Sequence, residues 1–422
     1  MDTFLLILNT LKTVLSIIFS IWWVWLPAFL FALSYIALKN YTNLKYRLSL
    51  EWILLEMKVP KETHKSPKAM EQIFAGLHGV YIKPIEWHQE LFKGKMLDWF
   101  SFEMMGRGGE THFYLRTQKK YKNVVEAQIY GQYPDCEVIE APDYVNDLPL
   151  YLPDEKYDLW GTELLLNKED AYPIRTYPDF EEKGGKGGLD EDVKRIDPLA
   201  SLLELFGTLH AGEQIWIQII GTPVGDGWIK RGQLVIDRLM GKAPAPQGGN
   251  FFSDAVFALD KAITGIGSDP LAVKKEERKE RVDLSPGKQE LLKAIEKSFD
   301  KLGYEVGIRF VYIGQKDNFH QAHVAGIMGS FRQYASQNLN GFKVNKYTLT
   351  FAKGLFKRSR LFNRKRAIYQ AFRERKVMLL KYVLNTEELA TIFHFPDVGV
   401  RSPLLPRVEA KKGEPPVGLP IS

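Results

Sequence analysis

This sequence predicts an α+β protein with an N-terminal transmembrane helix, on three observations. An uncharged run of 26 residues, Thr13 to Leu38, precedes a polar body. Within the body, two stretches each read strand, helix, strand, strand, helix, strand. Several helix starts there carry Ser or Asp followed by Pro, which places a capping residue ahead of a preorganised first turn.

The apolar run comes first. A helix rises ~1.5 Å per residue, so the run reaches ~39 Å, more than the ~30 Å hydrocarbon core of a bilayer. It is too long and too weakly led by basic residues for a cleaved signal peptide, whose apolar region is usually ~7–15 residues. Phe4–Leu11 is also apolar and could form a second short segment against it. Lys39, Lys45 and Arg47 follow the run at once, whereas only Asp2 and Lys12 precede it. The positive-inside bias then puts the N-terminus outside and the body in the cytoplasm. Residues 1–48 are read as anchor and juxtamembrane segment, with residues 13–38 meeting membrane lipid.

Residues 49–150 form the first module. Trp52–Val59 reads as a strand, and Ser66-Pro67 opens a helix with Met70, Ile73, Phe74 and Leu77 along one stripe. Trp99–Arg107 and Glu110–Thr117 alternate and are joined at Gly108-Gly109, a hairpin signal. A helix from about Lys119 to Gln132 and a strand at Cys136–Glu140 complete a split β-α-β, or ferredoxin-like, order.

Residues 151–400 repeat the plan with a helical insertion at about 223–302. Tyr157–Leu166 is a strand, Asp197-Pro198 opens a helix, and Gln214–Ile220 is short and almost wholly apolar. Ser285-Pro286 starts a helix inside the insertion, where Gly241–Asn250 reads as loop and Lys274–Arg281 as a solvated charged stretch. Tyr304–Ile313 is a strand, Asn318–Tyr334 a helix and Val377–Leu384 the closing strand. Residues 401–422 hold five prolines and read as an extended tail. Two ferredoxin-like modules, the second with an insertion, are therefore expected behind the anchor.

Composition narrows the function classes. Hydrophobic content of 45% supplies real cores, and a single cysteine, Cys136, rules out an intramolecular disulfide. The net charge of +6 permits an anionic partner without requiring one. No G-x-x-x-x-G-K-[ST] phosphate loop occurs; Gly184-Gly185-Lys186-Gly187-Gly188 lacks the hydroxyl residue after its lysine. His320 and His323 lie three apart without the i, i+4 and Glu pattern of a zinc helix, and no nucleophile elbow is present. The expectation is a protein without catalytic, cofactor-binding or metal-ligating residues.

One charge cluster stands apart. Between Lys353 and Lys376 there are ten Lys/Arg and one acid, with aromatic residues interleaved. Lys357, Arg358, Arg360, Arg364, Lys365, Arg366, Arg373 and Arg375 are the candidate polyanion or lipid contacts. DNA phosphates and anionic lipid are both suitable occupants, and a solvated helix face is the plain alternative.

Several phrases resemble a known family: His112-Phe113-Tyr114-Leu115-Arg116, Tyr121 to Tyr130 with Tyr133-Pro134-Asp135, Gly307 to Gly314, and Leu384 to Pro396. Together they resemble the membrane-anchored N-terminal region, an uncharacterised domain, of bacterial TraC/HerA-like ATPases of type IV secretion and conjugative DNA transfer. In such proteins the last phrase leads into a P-loop motor, whereas here the chain continues only to Ser422. The resemblance implies a non-catalytic scaffold in the bacterial inner membrane that docks a separate cytoplasmic ATPase. Motor partners of this class often form rings, so an oligomer is an expectation of the family and not something these residues display. Glu387, Phe393, His394, Phe395 and Pro396 are the candidate docking residues, and a helix packed on its own sheet is the alternative for that phrase. A membrane-tethered nucleic-acid-binding protein using the basic segment is the competing function.

Overall fold

The structure is a computed structural model. It describes residues 22–59, 65–81, 85–182, 194–241, 285–376, 378 and 380–397, with isolated positions 12, 13, 16 and 20. The readings at Phe4–Leu11, Gly184–Gly188, Gly241–Asn250 (beyond Gly241 itself), Lys274–Arg281 and 401–422 lie outside the described residues.

Helix α1 (Trp22–Ser49) carries the second half of the apolar run and continues without a break into polar sequence. None of its 18-residue apolar window is buried in the fold, and it is apolar enough to span a membrane. Strand β1 (Trp52–Lys58) follows, then α2 (Lys68–Leu77), whose Met70, Ile73, Phe74 and Leu77 are buried as their spacing predicts. A short helix, α3 (Trp87–Lys93), ends at Gly94 in the left-handed region, φ 62°. Strands β2 (Phe100–Arg107) and β3 (Glu110–Gln118) form a hairpin through Gly108 and Gly109, both at positive φ. Helix α4 (Lys122–Gln132) and strand β4 (Glu137–Glu140) close the first half.

The second half begins with β5 (Tyr157–Leu166). A two-residue pair, β6 (Glu181–Glu182) and β7 (Lys194–Arg195), stands apart from the main sheet. Helix α5 (Ala200–Gly207) leads to β8 (Gln214–Val224). Helices α6 (Gly227–Leu239) and α7 (Pro286–Phe299) share a small apolar cluster of Ile236, Leu292 and Ile295. Then come β9 (Gly303–Gln315), α8 (Gln321–Arg332), β10 (Phe342–Val344), α9 (Lys357–Arg373), β11 (Tyr382–Asn385) and α10 (Thr386–Ile392).

The main strands form one antiparallel sheet in the order β10-β5-β9-β8-β2-β3-β1-β4, with β11 beside β9. The halves are joined by β2 and β8, which pair from Phe100↔Gly221 to Arg107↔Gln214. Outward from that seam, each half places its second, third, first and fourth strands in the same sequence. The closing strand of the second half differs from the expected Val377–Leu384. Phe342–Val344 takes the place beside β5, and Tyr382–Asn385 pairs with the first residues of β9 instead.

Both sheet faces are covered, and this explains why Gln214–Ile220 of β8 is almost wholly apolar, Gln218 being the interior exception: a central strand alternates only when one face meets water. One face packs against α2, α4, α5, α8 and α10 around Phe74, Phe102, Phe206 and Phe310. The other holds Trp216, Val311 and Ile313 under Ile368, Tyr369 and Phe372 of α9 and Tyr144, Val145 and Leu148 of the link between halves. Each large apolar side chain buried this way contributes about 1.5–3 kcal/mol relative to leaving it exposed.

Candidate functional site: a basic helix pinned at its C-terminal end

Helix α9 is rich in Arg, Lys, Ala and Gln, good helix formers, and its apolar residues meet the sheet only in its C-terminal half. The first turn carries Lys357, Arg358 and Arg360, all exposed, and no acid. These charges sit at the positive end of the helix dipole, an arrangement that disfavours the helix. Ahead of them Leu355 is 83% exposed and Phe356 80% exposed, and Phe356 is in the left-handed region at φ 56°. A bulky residue there is strained by about 1–2 kcal/mol.

The remaining candidate cations are held by the fold. Arg364 donates to the carbonyls of Leu349, at 3.2 Å, and Phe351. Lys365 pairs with Asp158 at 2.6 Å. Arg366 lies over the Tyr151 ring, 4.5 Å from its centroid. Arg373 donates to the Val145 and Leu148 carbonyls and, at 3.1 Å, to Asn146 Oδ1. Arg375 is wholly buried, with Nε and Nη2 each 3.0 Å from a Glu103 oxygen and Nη1 2.5 Å from Asp143. A surface polyanion therefore reaches Lys357, Arg358 and Arg360 freely, whereas Arg375 is closed to it.

Glu103 also accepts from Ser101 at 2.5 Å, Tyr144 at 2.7 Å and Gln218 at 3.0 Å. Burial pushes its carboxyl up, but the charge and hydrogen bonds of Arg375 outweigh burial and hold it below the ordinary carboxylate range. Nearby Arg116 is pulled down to about 10, first by burial and then by the Arg375 charge. Across the same helix end, Arg309 of β9 donates to the carbonyls of Ala371 and Lys376. Two buried arginines thus satisfy and complement the negative end of α9.

The Leu384–Pro396 phrase forms a seal on the core. Asn385 and Glu388 make a reciprocal capping box at the start of α10. Glu387 accepts from Thr176 Oγ1 at 2.7 Å and faces Lys297 at 3.2 Å. Phe393 lies among Phe74, Phe102 and Phe113, and Phe395 is 4.8 Å from the Tyr133 ring. His394 places Nδ1 2.8 Å from the Ala390 carbonyl and Nε2 3.0 Å from Asp197, and Pro396 is buried beside it. Of the two readings for this phrase, packing on the chain's own core is the one the burial supports.

Next to the body, α3 clamps α1. Lys39 and Glu90 pair at 2.7 Å, and Thr42 Oγ1 donates to the Leu91 carbonyl at 2.9 Å. Gly94 allows the approach, because a Cβ there would stand 2.1 Å from the Thr42 carbonyl oxygen. Arg47 Nη2 reaches the Glu374 carbonyl at 3.4 Å, so the juxtamembrane turn meets the pinned end of α9.

Cys136 is buried, and its thiol is pushed up to about 12, mainly by burial. His320 and His323 have ring centroids 6.2 Å apart, and His323 faces Glu213 at 3.3 Å. Among the described residues, no three His, Cys, Asp or Glu side chains come together to hold a metal ion. Sequence reasoning did not single out Glu103 or Arg309. The available signal was a lone charge inside an otherwise apolar strand, clearest at Ile308-Arg309-Phe310-Val311.

No curated protein matches the chain. A family model described as a domain of unknown function (DUF8128) matches residues 34–403, a span that takes in the end of α1, the whole sheet, α9 and α10. The chain belongs to that DUF8128 family.

Proposed function

We propose that the protein is a non-catalytic scaffold anchored in the bacterial inner membrane by α1, which holds two ferredoxin-like halves in the cytoplasm to dock a P-loop translocation ATPase. The observation that carries the anchored reading is α1 itself, with none of its apolar window buried in the fold yet fastened to the body at Lys39–Glu90 and Thr42–Leu91. A helix joined this firmly sets the body at a fixed distance from the bilayer, as a scaffold requires. The strand order of each half supports the ferredoxin-like description. The ATPase partner rests on the resemblance of the phrases around Tyr121–Asp135, Gly307–Gly314 and Leu384–Pro396.

Mild-detergent purification of the tagged full chain should bring down a nucleotide-hydrolysing P-loop protein, and isolation free of any ATPase counts against that partner. Extraction by alkaline carbonate without detergent would overturn the anchor. A labelling reagent confined to the cytoplasmic side should modify the body and spare the N-terminus.

A second reading, nucleic-acid binding by the basic segment, is favoured by the exposed Lys357, Arg358 and Arg360 at the open end of α9. Absence of DNA affinity at low salt would end it.

A further inference from the structure

Between α9 and the chain on either side of it lies a cavity of about 410 Å³, within the size range of small-molecule sites. Its charged lining is unbalanced: Arg309, Arg364 and Lys376 line it with one carboxylate, Glu163, and Arg364 meets backbone carbonyls of Leu349 and Phe351 instead of an acid. Glu163 is already engaged, accepting from Asn345 Nδ2 at 3.2 Å and lying 3.5 Å from Arg309 Nη2. Arg309 is 1% exposed, and its Nε has no hydrogen-bond partner among the described residues. Burial draws this guanidinium down to about 10, with Glu163 only partly restoring it. A buried cation normally has a close, fully bonded counter-ion, and here its pairing is incomplete. The rest of the wall is apolar, including Ile368, Met378 and Leu380, and Leu380 is 48% exposed at the edge.

We propose that this cavity binds a small amphipathic anion, its carboxylate or phosphate group seated among Arg309, Arg364 and Lys376 and its apolar part against Ile368, Met378 and Leu380. An inorganic ion would leave the apolar wall in contact with water, and a neutral hydrocarbon would leave the excess positive charge unmet. The site is built partly from Ala367, Ile368 and Ala371 of α9 and from Lys376, Met378 and Leu380, so its occupancy would tighten the pinned half of the helix and not the open end that carries Lys357, Arg358 and Arg360. The proposal stands on the cavity alone and does not require the membrane or ATPase readings.

The test uses the full chain in zwitterionic nanodiscs, with empty discs as the partition control. Decanoate and decyl phosphate should each raise the unfolding midpoint in a saturable way, as selective binding to the folded state requires. Inorganic phosphate and decanol should bind at least ten times more weakly, and the ratio of decanoate to decyl phosphate identifies the head group. Arg309→Met removes the central cation but also frees the Ala371 and Lys376 carbonyls, so Ala367→Trp, which fills the wall from the helix surface, serves as the second variant. Ala367→Trp should fold and weaken binding at least tenfold. Undiminished binding in Ala367→Trp, equal binding of decanol, or no response of the wild-type chain to either anion would overturn the site.

Discussion

Arg375 and Glu103 lie 272 positions apart in the chain and share two 3.0 Å hydrogen bonds where neither side chain is exposed to solvent. Glu103 stands on β2, opposite Gln218 of β8, so the pair sits on the seam between the halves. Arg375 leaves α9 in the left-handed region, φ 46°, and this turn aims its guanidinium down at the sheet. Removing Arg375 leaves Glu103 a buried charge without its counter-ion, at a cost of about 3–5 kcal/mol. Arg375→Met is expected to lower stability by that scale, and Glu103→Gln by less, because Asp143 still pairs with Arg375. The double variant should be less unstable than the sum of the two, as a double-mutant cycle would read directly.

The open end of α9 should behave differently from the pinned end. Substituting Lys357, Arg358 and Arg360 together by Glu is expected to hold or raise stability, because each acid in the first turn suits the positive end of the helix dipole by about 0.3–1 kcal/mol. Any affinity for anionic vesicles or DNA should fall, and the logarithmic salt slope should flatten by about 0.9 per lost phosphate contact on DNA. Arg373→Met should do the reverse, lowering stability while leaving the slope alone.

The joint between α1 and α3 depends on a missing side chain. Gly94→Ala meets the Thr42 carbonyl and also strains a residue at φ 62°. Limited proteolysis near Leu50 should accelerate in this variant. Lys39→Ala, which breaks only a half-exposed pair, should cost under about 1 kcal/mol and change proteolysis little.

Acid–base behaviour separates two groups of buried carboxylates. Glu388 is pushed up to about 8, first by burial; the N–H groups of Asn385 and Ile174 pull it back, and the charges of Glu387 and Asp170 add to the rise. The folded chain therefore holds this proton more tightly than the unfolded one. The stabilisation is fully present below about pH 4.5 and is lost as pH rises toward 8. Glu103 and Asp197 are held low, by Arg375 and His394 against the effect of burial. Their contribution is present above the ordinary carboxylate range and is lost as pH falls. A plot of unfolding midpoint against pH should peak on the mildly acidic side, and Glu388→Gln should flatten its alkaline limb.

The aromatic seal gives a packing prediction. Phe393→Ala opens a void among Phe74, Phe102 and Phe113 and is expected to cost about 3–5 kcal/mol. Chemical denaturation would measure it.

Local order was legible wherever periodicity and capping agree. The stripe Met70, Ile73, Phe74 and Leu77, the Gly108-Gly109 hairpin and the Ser285-Pro286 start all fall where spacing places them. What spacing does not carry is the pairing of distant strands. Spacing gives two modules without a pairing between them, and the almost wholly apolar Gln214–Ile220 is the strand that pairs with β2 across them. Basic residues in α9 look equivalent in sequence, yet their roles divide by what lies beneath each one. Arg375, two residues beyond the helix, finds Glu103, whereas Arg360 finds the Lys353 carbonyl and no acid among the described residues. The short α3 was missed because seven residues give too few turns for a period to show.

Because the strand order reads alike outward from β2 and from β8, a half-turn about the seam exchanges the two parts of the molecule. The match stops at the connection after the seam strand: β2 turns straight into β3 at Gly108-Gly109, whereas α6 and α7 stand between β8 and β9. Any ligand or machine that must tell one side of this quasi-dyad from the other has that pair of helices to recognise.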